Sequence, residues 1–262
     1  MNSTASTWAV VSALAATLLG LHAVGHAQDA NPPSEGFNLE ASDARAIEVA
    51  DAVMSAMGGR EAWDRVRFVA WNFFGRRSHV WDKFTGDLRF ENGDTLVLMN
   101  LHSKEGKAWE AGSPIEGDAL REVLDRTHGA WINDSYWVFM PYKLKDSGVT
   151  LTYQGAGESV EGSECHVLQL TFEDVGRTPD NRYLVYVDKA SNLVVQWDYF
   201  KAASDTEPGF QIPWRDWQRH GPILLSADRG ERKHEFVAVL DEVPRSVFES
   251  PDPVDPQTFR MR

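Results

Sequence analysis

The segment Trp131-Ile132-Asn133-Asp134-Ser135-Tyr136-Trp137-Val138-Phe139-Met140-Pro141-Tyr142-Lys143-Leu144 constrains this chain more than any other. Between Tyr136 and Met140 no residue is charged, so both faces of the segment must be covered by protein or ligand rather than by water. It follows a helical pattern ending at His128-Gly129 and precedes the turn signal Lys145-Asp146-Ser147-Gly148. Its density of aromatic residues reads as a buried strand, with Pro141 marking the strand's end or a sheet edge. Two readings stay open: plain core, or the wall of a binding site.

The rest of the chain is mostly of period two. Val66 to Trp81, Gly86 to Phe90, Thr95 to His102 and Lys107 to Glu110 predict short antiparallel strands divided by turns such as Glu91-Asn92-Gly93-Asp94. In the first run Phe68 and Phe74 fall on one face and Val69, Trp71 and Phe73 on the other, so both faces of that sheet should be covered. Later strands are expected at Val149 to Gln154, leading through Gly155-Ala156-Gly157 to Glu164 to Phe172, then at Arg182 to Asp188 and Leu193 to Phe200. Trp214 to Arg219, Ile223 to Ser226 and Glu235 to Val243 complete about ten. Two helices interrupt them. One starts at Ser42-Asp43, carries Ile47, Ala50, Met54 and Met57 at helical spacing, and stops at Gly58-Gly59. The other runs from Pro114 to His128 with Leu120 and Leu124 on its apolar stripe. The fold class predicted is mainly β (α+β): one strongly curved antiparallel sheet, an unclosed half-barrel capped by an N-terminal and a mid-chain helix. The tail from Pro244, with Pro251, Pro253 and Pro256, is expected to pack loosely along the surface.

Residues 1–27 read as a secretory leader, apolar or small from Trp8 to Val24 and ending Gly25-His26-Ala27, although no Lys or Arg precedes the apolar run. An uncleaved anchor is the alternative, since a membrane helix needs about 20 apolar residues. Residues 28–40, with Pro32-Pro33, read as a linker, and 41–262 as one domain. A net charge of −13 argues against nucleic acid and against anionic membrane surfaces. Cys165 is the only cysteine, so no intramolecular disulfide forms, and its place in a strand-like run makes it a small buried residue. The protein is expected outside the cytoplasm, in a bacterial periplasm, as a monomer without stable membrane insertion once the leader is cut.

Three passages carry a family likeness. They are Met57-Gly58-Gly59 with Trp63; Trp131 to Trp137 through Pro141-Tyr142-Lys143-Leu144 with Asp146 and Gly148; and Val243 to Pro251 around Phe248. The chain resembles uncharacterised exported relatives of the periplasmic lipoprotein-sorting (localisation of lipoproteins) superfamily. That resemblance implies a curved, unclosed antiparallel sheet capped by helices, with an apolar cavity between them that takes acyl chains of lipoproteins. It also implies that Trp131 to Trp137 is a central strand.

No reaction is specified by the residues. No histidine pair stands at i,i+4 on a helix, no cysteine pair exists, and no Gly-x-Ser-x-Gly elbow or phosphate-cradling glycine loop occurs. No metal or other cofactor is called for, and the protein reads as non-enzymatic. Asp134, Asn133 and His166 are the residues an unrecognised active site would draw on. What exceeds expectation is the aromatic load, ten tryptophans in all. Tryptophan recurs where an apolar wall meets something polar. A curved sheet that does not close must cover its concave face with helices, side chains or a ligand. Trp71, Phe73, Trp81, Phe90, Leu98, Trp137, Phe139 and Tyr142 are therefore expected to line a cavity for a lipid, an acyl chain or a similar amphiphile, unless they fill that space themselves. A protein-binding or sensor module with a filled core is the alternative function.

Overall fold

The computed structural model describes residues 30–173 and 180–254. The leader expected over 1–27 lies outside the described residues. Residues 30–40, read as a linker, lie along the body of the fold. Asn31 donates to the Asp51 carbonyl and to Ser55 Oγ and accepts the Arg60 N–H, and the Asn38 N–H reaches the Val149 carbonyl at 3.1 Å.

Helix α1 (Ala44–Ala56) buries Ala46, Val49, Ala50, Val53 and Met54; of the expected stripe Ala50 and Met54 are buried in it, Met57 is buried just past its end, and Ile47 is half-buried at its margin. Ser42 and Asp43 do not cap it. Ser42 Oγ accepts the Leu151 N–H at 3.0 Å and Asp43 Oδ2 accepts the Tyr153 N–H at 2.8 Å, so these side chains dock the helix on a strand edge instead. Gly58 ends α1 at φ +117°, where a Cβ would lie 2.5 Å from the Pro222 carbonyl oxygen. Helix α2 (Arg60–Arg65) follows.

Strands β1 (Phe68–Phe73), β2 (Arg77–Asp82), β3 (Asp87–Asn92), β4 (Thr95–Asn100), β5 (Gly106–Glu110) and β6 (Ser113–Ile115) come next, then helix α3 (Gly117–Phe139) and a 3-10 turn, Met140–Lys143. After them run β7 (Val149–Glu158), β8 (Glu164–Phe172), β9 (Arg182–Asp188), β10 (Val194–Phe200) and β11 (Phe210–Pro213). The chain ends through β12 (Arg215–His220), β13 (Ile223–Arg229), β14 (Arg232–Lys233), β15 (Val237–Leu240) and α4 (Ser246–Glu249). All pairings are antiparallel, as expected, and the curved sheets do not close into a barrel. The single sheet of the expectation is divided into three ladders, ordered β15-β1-β2-β3-β4-β5-β6, β11-β10-β9-β8-β7 and β12-β13-β14.

Three local expectations are corrected. Trp131 to Leu144 is not a strand: α3 runs on through it to Phe139, and Pro141 sits in the first turn of the 3-10 segment, where its missing N–H costs nothing. The buried positions Leu124, Thr127, Asp134 and Val138 keep a helical period, which the polar identities of Thr127 and Asp134 conceal. The run Val66 to Trp81 is a hairpin, not one strand; it turns at Phe74 and Gly75, both at positive φ. That turn brings Phe74 onto Trp137 (5.3 Å between centroids) beside Phe73, away from the Phe68 face. Gly155 lies inside β7, at a bulge after Tyr153, and not in a turn.

As far as residue 254 the tail is anchored rather than loose. Val247 and Phe248 pack on Phe68 and Ala70, and the Arg89 guanidinium donates to the carbonyls of Val247, Ser250 and Asp252. The main core joins α1, the end of α3 and the inner faces of both larger sheets. Buried Arg229 on β13 ties them together. It donates twice to the Trp137 carbonyl in the last turn of α3, at 2.7 and 3.2 Å, with its guanidinium 3.5 Å over the Trp214 ring. Among the described residues no helix is long and apolar enough to cross a membrane.

Candidate functional site

Helix α3 presents two faces to two different surroundings. Against β1 and β2 it sends Asp134, which is fully buried and accepts two N–H bonds from Arg77 at 2.6 and 2.7 Å and one from Asn133 at 2.9 Å. His79 Nε2 lies 2.9 Å from the same carboxylate. Burial pushes the His79 imidazole below its ordinary pKa, and Asp134 opposes that without reversing it. For Asp134 burial acts upward, but bonds from His79 and Arg77 outweigh it and hold the carboxyl below the usual range. His79 is therefore neutral and donates Nε2–H to an ionised Asp134, whose charge Arg77 balances. Trp71 stacks on the imidazole at 4.3 Å and Phe90 closes its edge at 5.2 Å. Both His79 and Asp134 are 0% exposed, so this cluster holds α3 to the sheet and offers no open surface for chemistry. Sequence reasoning singled out Asp134 but gave it neither partner, because Arg77 and His79 lie more than fifty residues upstream.

The opposite side of α3 is open. A cleft of about 650 Å³ lies between the helix and the inner face of the β7–β11 sheet. The helix contributes Trp131, Ile132, Asn133, Ser135, Tyr136 and Trp137. The sheet contributes Phe172, Tyr183, Trp197, Tyr199 and Phe210. Strand alternation explains this wall: Tyr199 stands opposite both Tyr183 and Phe210 in the ladder, and Trp197 shares its face two residues away. On the same face, Leu151, Leu168, Leu170, Val185 and Val187 are fully buried beneath the core. The inner face thus passes from aliphatic and sealed to aromatic and half-open.

Within the cleft the rings brace one another. Tyr183 stacks on Trp197 at 5.1 Å, Tyr199 on Phe210 at 4.6 Å, and Tyr136 on Trp197 at 5.7 Å, while Trp137 meets Trp197 edge-on at 5.0 Å. The Tyr199 hydroxyl donates to Asn181 Oδ1 at 3.3 Å. Burial pushes the Tyr183 phenol up to about 12 and raises Tyr136 well above its ordinary value, so both stay protonated donors. The Tyr136 hydroxyl and the Trp131 and Trp197 indole nitrogens are buried with no hydrogen-bond partner among the described residues. Lys143, Asp146, Ser147 and Asn181 form a polar rim, with Lys143 ion-paired to Asp146.

Of the residues expected to line a cavity, Trp137 lines this cleft and the others lie away from it. Trp71, Phe73, Phe139 and Tyr142 are buried in the main core, Tyr142 Oη reaching the Leu224 carbonyl at 2.7 Å while its ring stacks on Trp63 at 4.4 Å. Trp81 packs against Trp131 at 5.1 Å, and Phe90 joins Leu88, Val97 and Met99 in a separate cluster under α3. Leu98 pairs across the ladder with Arg89 and so points to the opposite face. The aromatic cleft residues missed were Trp131, Tyr136, Phe172, Tyr183, Trp197, Tyr199 and Phe210; the alternation of Trp197 and Tyr199 on β10 was the available signal for those two. His166 meets Tyr153 Oη at 3.0 Å at the start of β8, far along the strand from Phe172. Cys165 is buried and on the alternate face. Among the described residues no group of three or more His, Cys, Asp or Glu is placed to hold a metal ion.

No family model matches the chain, and no curated protein does. Among solved structures the chain is similar to a DUF1329 family protein from Desulfovibrio piger, at 15% identity over 78% of this chain and 97% of that one, with a TM-score of 0.41.

Proposed function

We propose that this is a binding protein, exported to the periplasm, that holds a small apolar or amphiphilic molecule in the cleft between α3 and the β7–β11 sheet. The observation that carries the reading is the half-open aromatic wall of Tyr183, Trp197, Tyr199 and Phe210 facing Tyr136 and Trp137. Concave sites lined mainly by apolar and aromatic groups with a few polar ones are where small molecules bind. Burying a hydrocarbon there yields about 0.8 kcal/mol per CH₂. Export rests on the leader-like residues 1–27, and the resemblance to the lipoprotein-sorting superfamily puts acyl chains among the candidate cargoes.

Native mass spectrometry of protein purified without detergent, followed by organic extraction, tests the proposal. A stoichiometric small molecule is expected, and it should be lost from a Phe210→Arg variant whose circular dichroism is unchanged. Protein that is ligand-free and also takes up no N-phenyl-1-naphthylamine would overturn the reading in favour of a protein-binding module.

A further inference from the structure

The cleft's chemistry narrows its cargo further, given that the cleft binds a small molecule at all. We propose that the ligand is a neutral, flat, ring-based molecule carrying a hydrogen-bond-accepting oxygen, and that a fatty-acid anion is a poor fit.

Shape gives the first reason. Eight of the lining side chains are aromatic, three from α3 and five from the sheet, against only Ile132 and Val149 as branched aliphatics. A flexible acyl chain suits walls of adaptable side chains that repack around its bends. These walls are rigid rings already locked by mutual contacts of 4.6 to 5.7 Å. Rings fixed in this way reward a planar partner laid against their free faces or edges by offset or edge-on stacking, worth about 0.5–1.5 kcal/mol per ring pair beyond buried area. A rigid ligand also loses less conformational freedom on binding than a chain does.

Charge gives the second. Lys143 and Asp146 are the charged residues lining the cleft among those described, and they neutralise each other. A carboxylate drawn in among the rings would lose its water without gaining a counter-ion, a cost that favours neutral ligands.

The third is the pair of buried donors. Tyr136 and Trp197 stack side by side and both line the cleft, and neither the hydroxyl nor the indole N–H finds a partner among the described residues; the indoles of Trp71, Trp81 and Trp214 also lack one but lie away from the cleft. Buried polar groups in folded proteins are almost always satisfied. A carbonyl or ether oxygen on the ligand supplies what both lack, since an indole N–H can only donate and a protonated phenol donates readily.

Four probes separate these claims, each titrated by tryptophan fluorescence into the full-length mature protein stripped of bound lipid. They are 2-acetylnaphthalene, 2-ethylnaphthalene, palmitate and its methyl ester. Binding of 2-acetylnaphthalene should be about tenfold or more tighter than that of methyl palmitate, as expected if stacking on two or more rings is lost, and palmitate should bind more weakly still because its charge finds no counter-ion. Tyr136→Phe should weaken 2-acetylnaphthalene about three- to tenfold and leave 2-ethylnaphthalene unchanged, the loss of one neutral hydrogen bond. Acyl probes binding as tightly as the ring probes would overturn the ring assignment while leaving the cleft reading intact. Equal responses of both naphthalenes to Tyr136→Phe would overturn the acceptor assignment. No binding of any probe would sink the cleft reading itself.

Discussion

The two sides of α3 were built from similar residues and came out differently. Towards β1 and β2, Trp71, His79, Asp134 and Phe139 are buried, and Asp134 is bonded by Arg77 and His79 at 2.6 to 2.9 Å, while the Trp71 indole nitrogen and His79 Nδ1 have no partner among the described residues. Towards β9–β11, Tyr183, Tyr199 and Phe210 remain half-exposed, and neighbouring donors have no protein partner among the described residues. Aromatic content does not separate the two sides. What separates them is whether the helix supplies a group matching the sheet's polar demand, as Asp134 does for Arg77 and His79. On the sealed side a buried carboxylate bonded to Arg77 and His79 ties helix to sheet; on the open side no such tie draws the walls together, and the cleft remains.

Removing the satisfied charge should produce the largest effect. Asp134→Ala leaves half-buried Arg77 without its carboxylate and buried His79 without an acceptor, and should cost about 3–5 kcal/mol in urea unfolding. A loss under about 1 kcal/mol would mean that the cluster does not hold α3 in place. A matched pair of truncations comes next. Phe139→Ala in the sealed side should cost about 3–5 kcal/mol, whereas Phe210→Ala, already partly wet, should cost less than half as much. Equal losses would erase the distinction between the sides.

Acid sharpens the comparison in a different way. His79 and His234 have folded pKa values below the ordinary 6.5, His234 pushed down to about 3 chiefly by burial. The unfolded chain therefore takes up protons first, so their contribution is fully present above pH 6.5 and is lost as pH falls towards their folded values. The thermal midpoint should decline as pH drops from 6.5 to 4, and His234→Phe should flatten that decline. A midpoint independent of pH across this window would refute the buried-neutral assignment. Tyr136→Phe should be the mildest change. In ligand-free protein it removes an unpaired buried hydroxyl, so stability should hold or rise by up to about 1 kcal/mol. A clear loss would show that the hydroxyl has a partner within the protein.

Much of this architecture was legible in the sequence, and the failures were specific. Strands β8 and β9 run Glu164–Phe172 and Arg182–Asp188, as their period-two patterns and flanking turn residues predict. Helix α3 was cut short because tryptophan, tyrosine and phenylalanine raise the strand signal locally, while buried Asp134 breaks an otherwise regular helical stripe. The β1–β2 turn escaped notice because its pivot, Phe74, is apolar and reaches positive φ without being glycine. The expected cavity residues Trp71 and Phe139 carry the same local pattern as Trp197 and Tyr199. Only the packing of α3, a tertiary fact, decides which row is filled and which stays open.

The indole N–H resonances of ¹⁵N-labelled protein read both sides of α3 in one spectrum. On titration with 2-acetylnaphthalene, the Trp137 and Trp197 signals should shift while those of Trp63 and Trp71 stay in place. Shifts at Trp71 with Trp197 unmoved would contradict the account, for they would put the ligand in the side of the molecule described here as sealed.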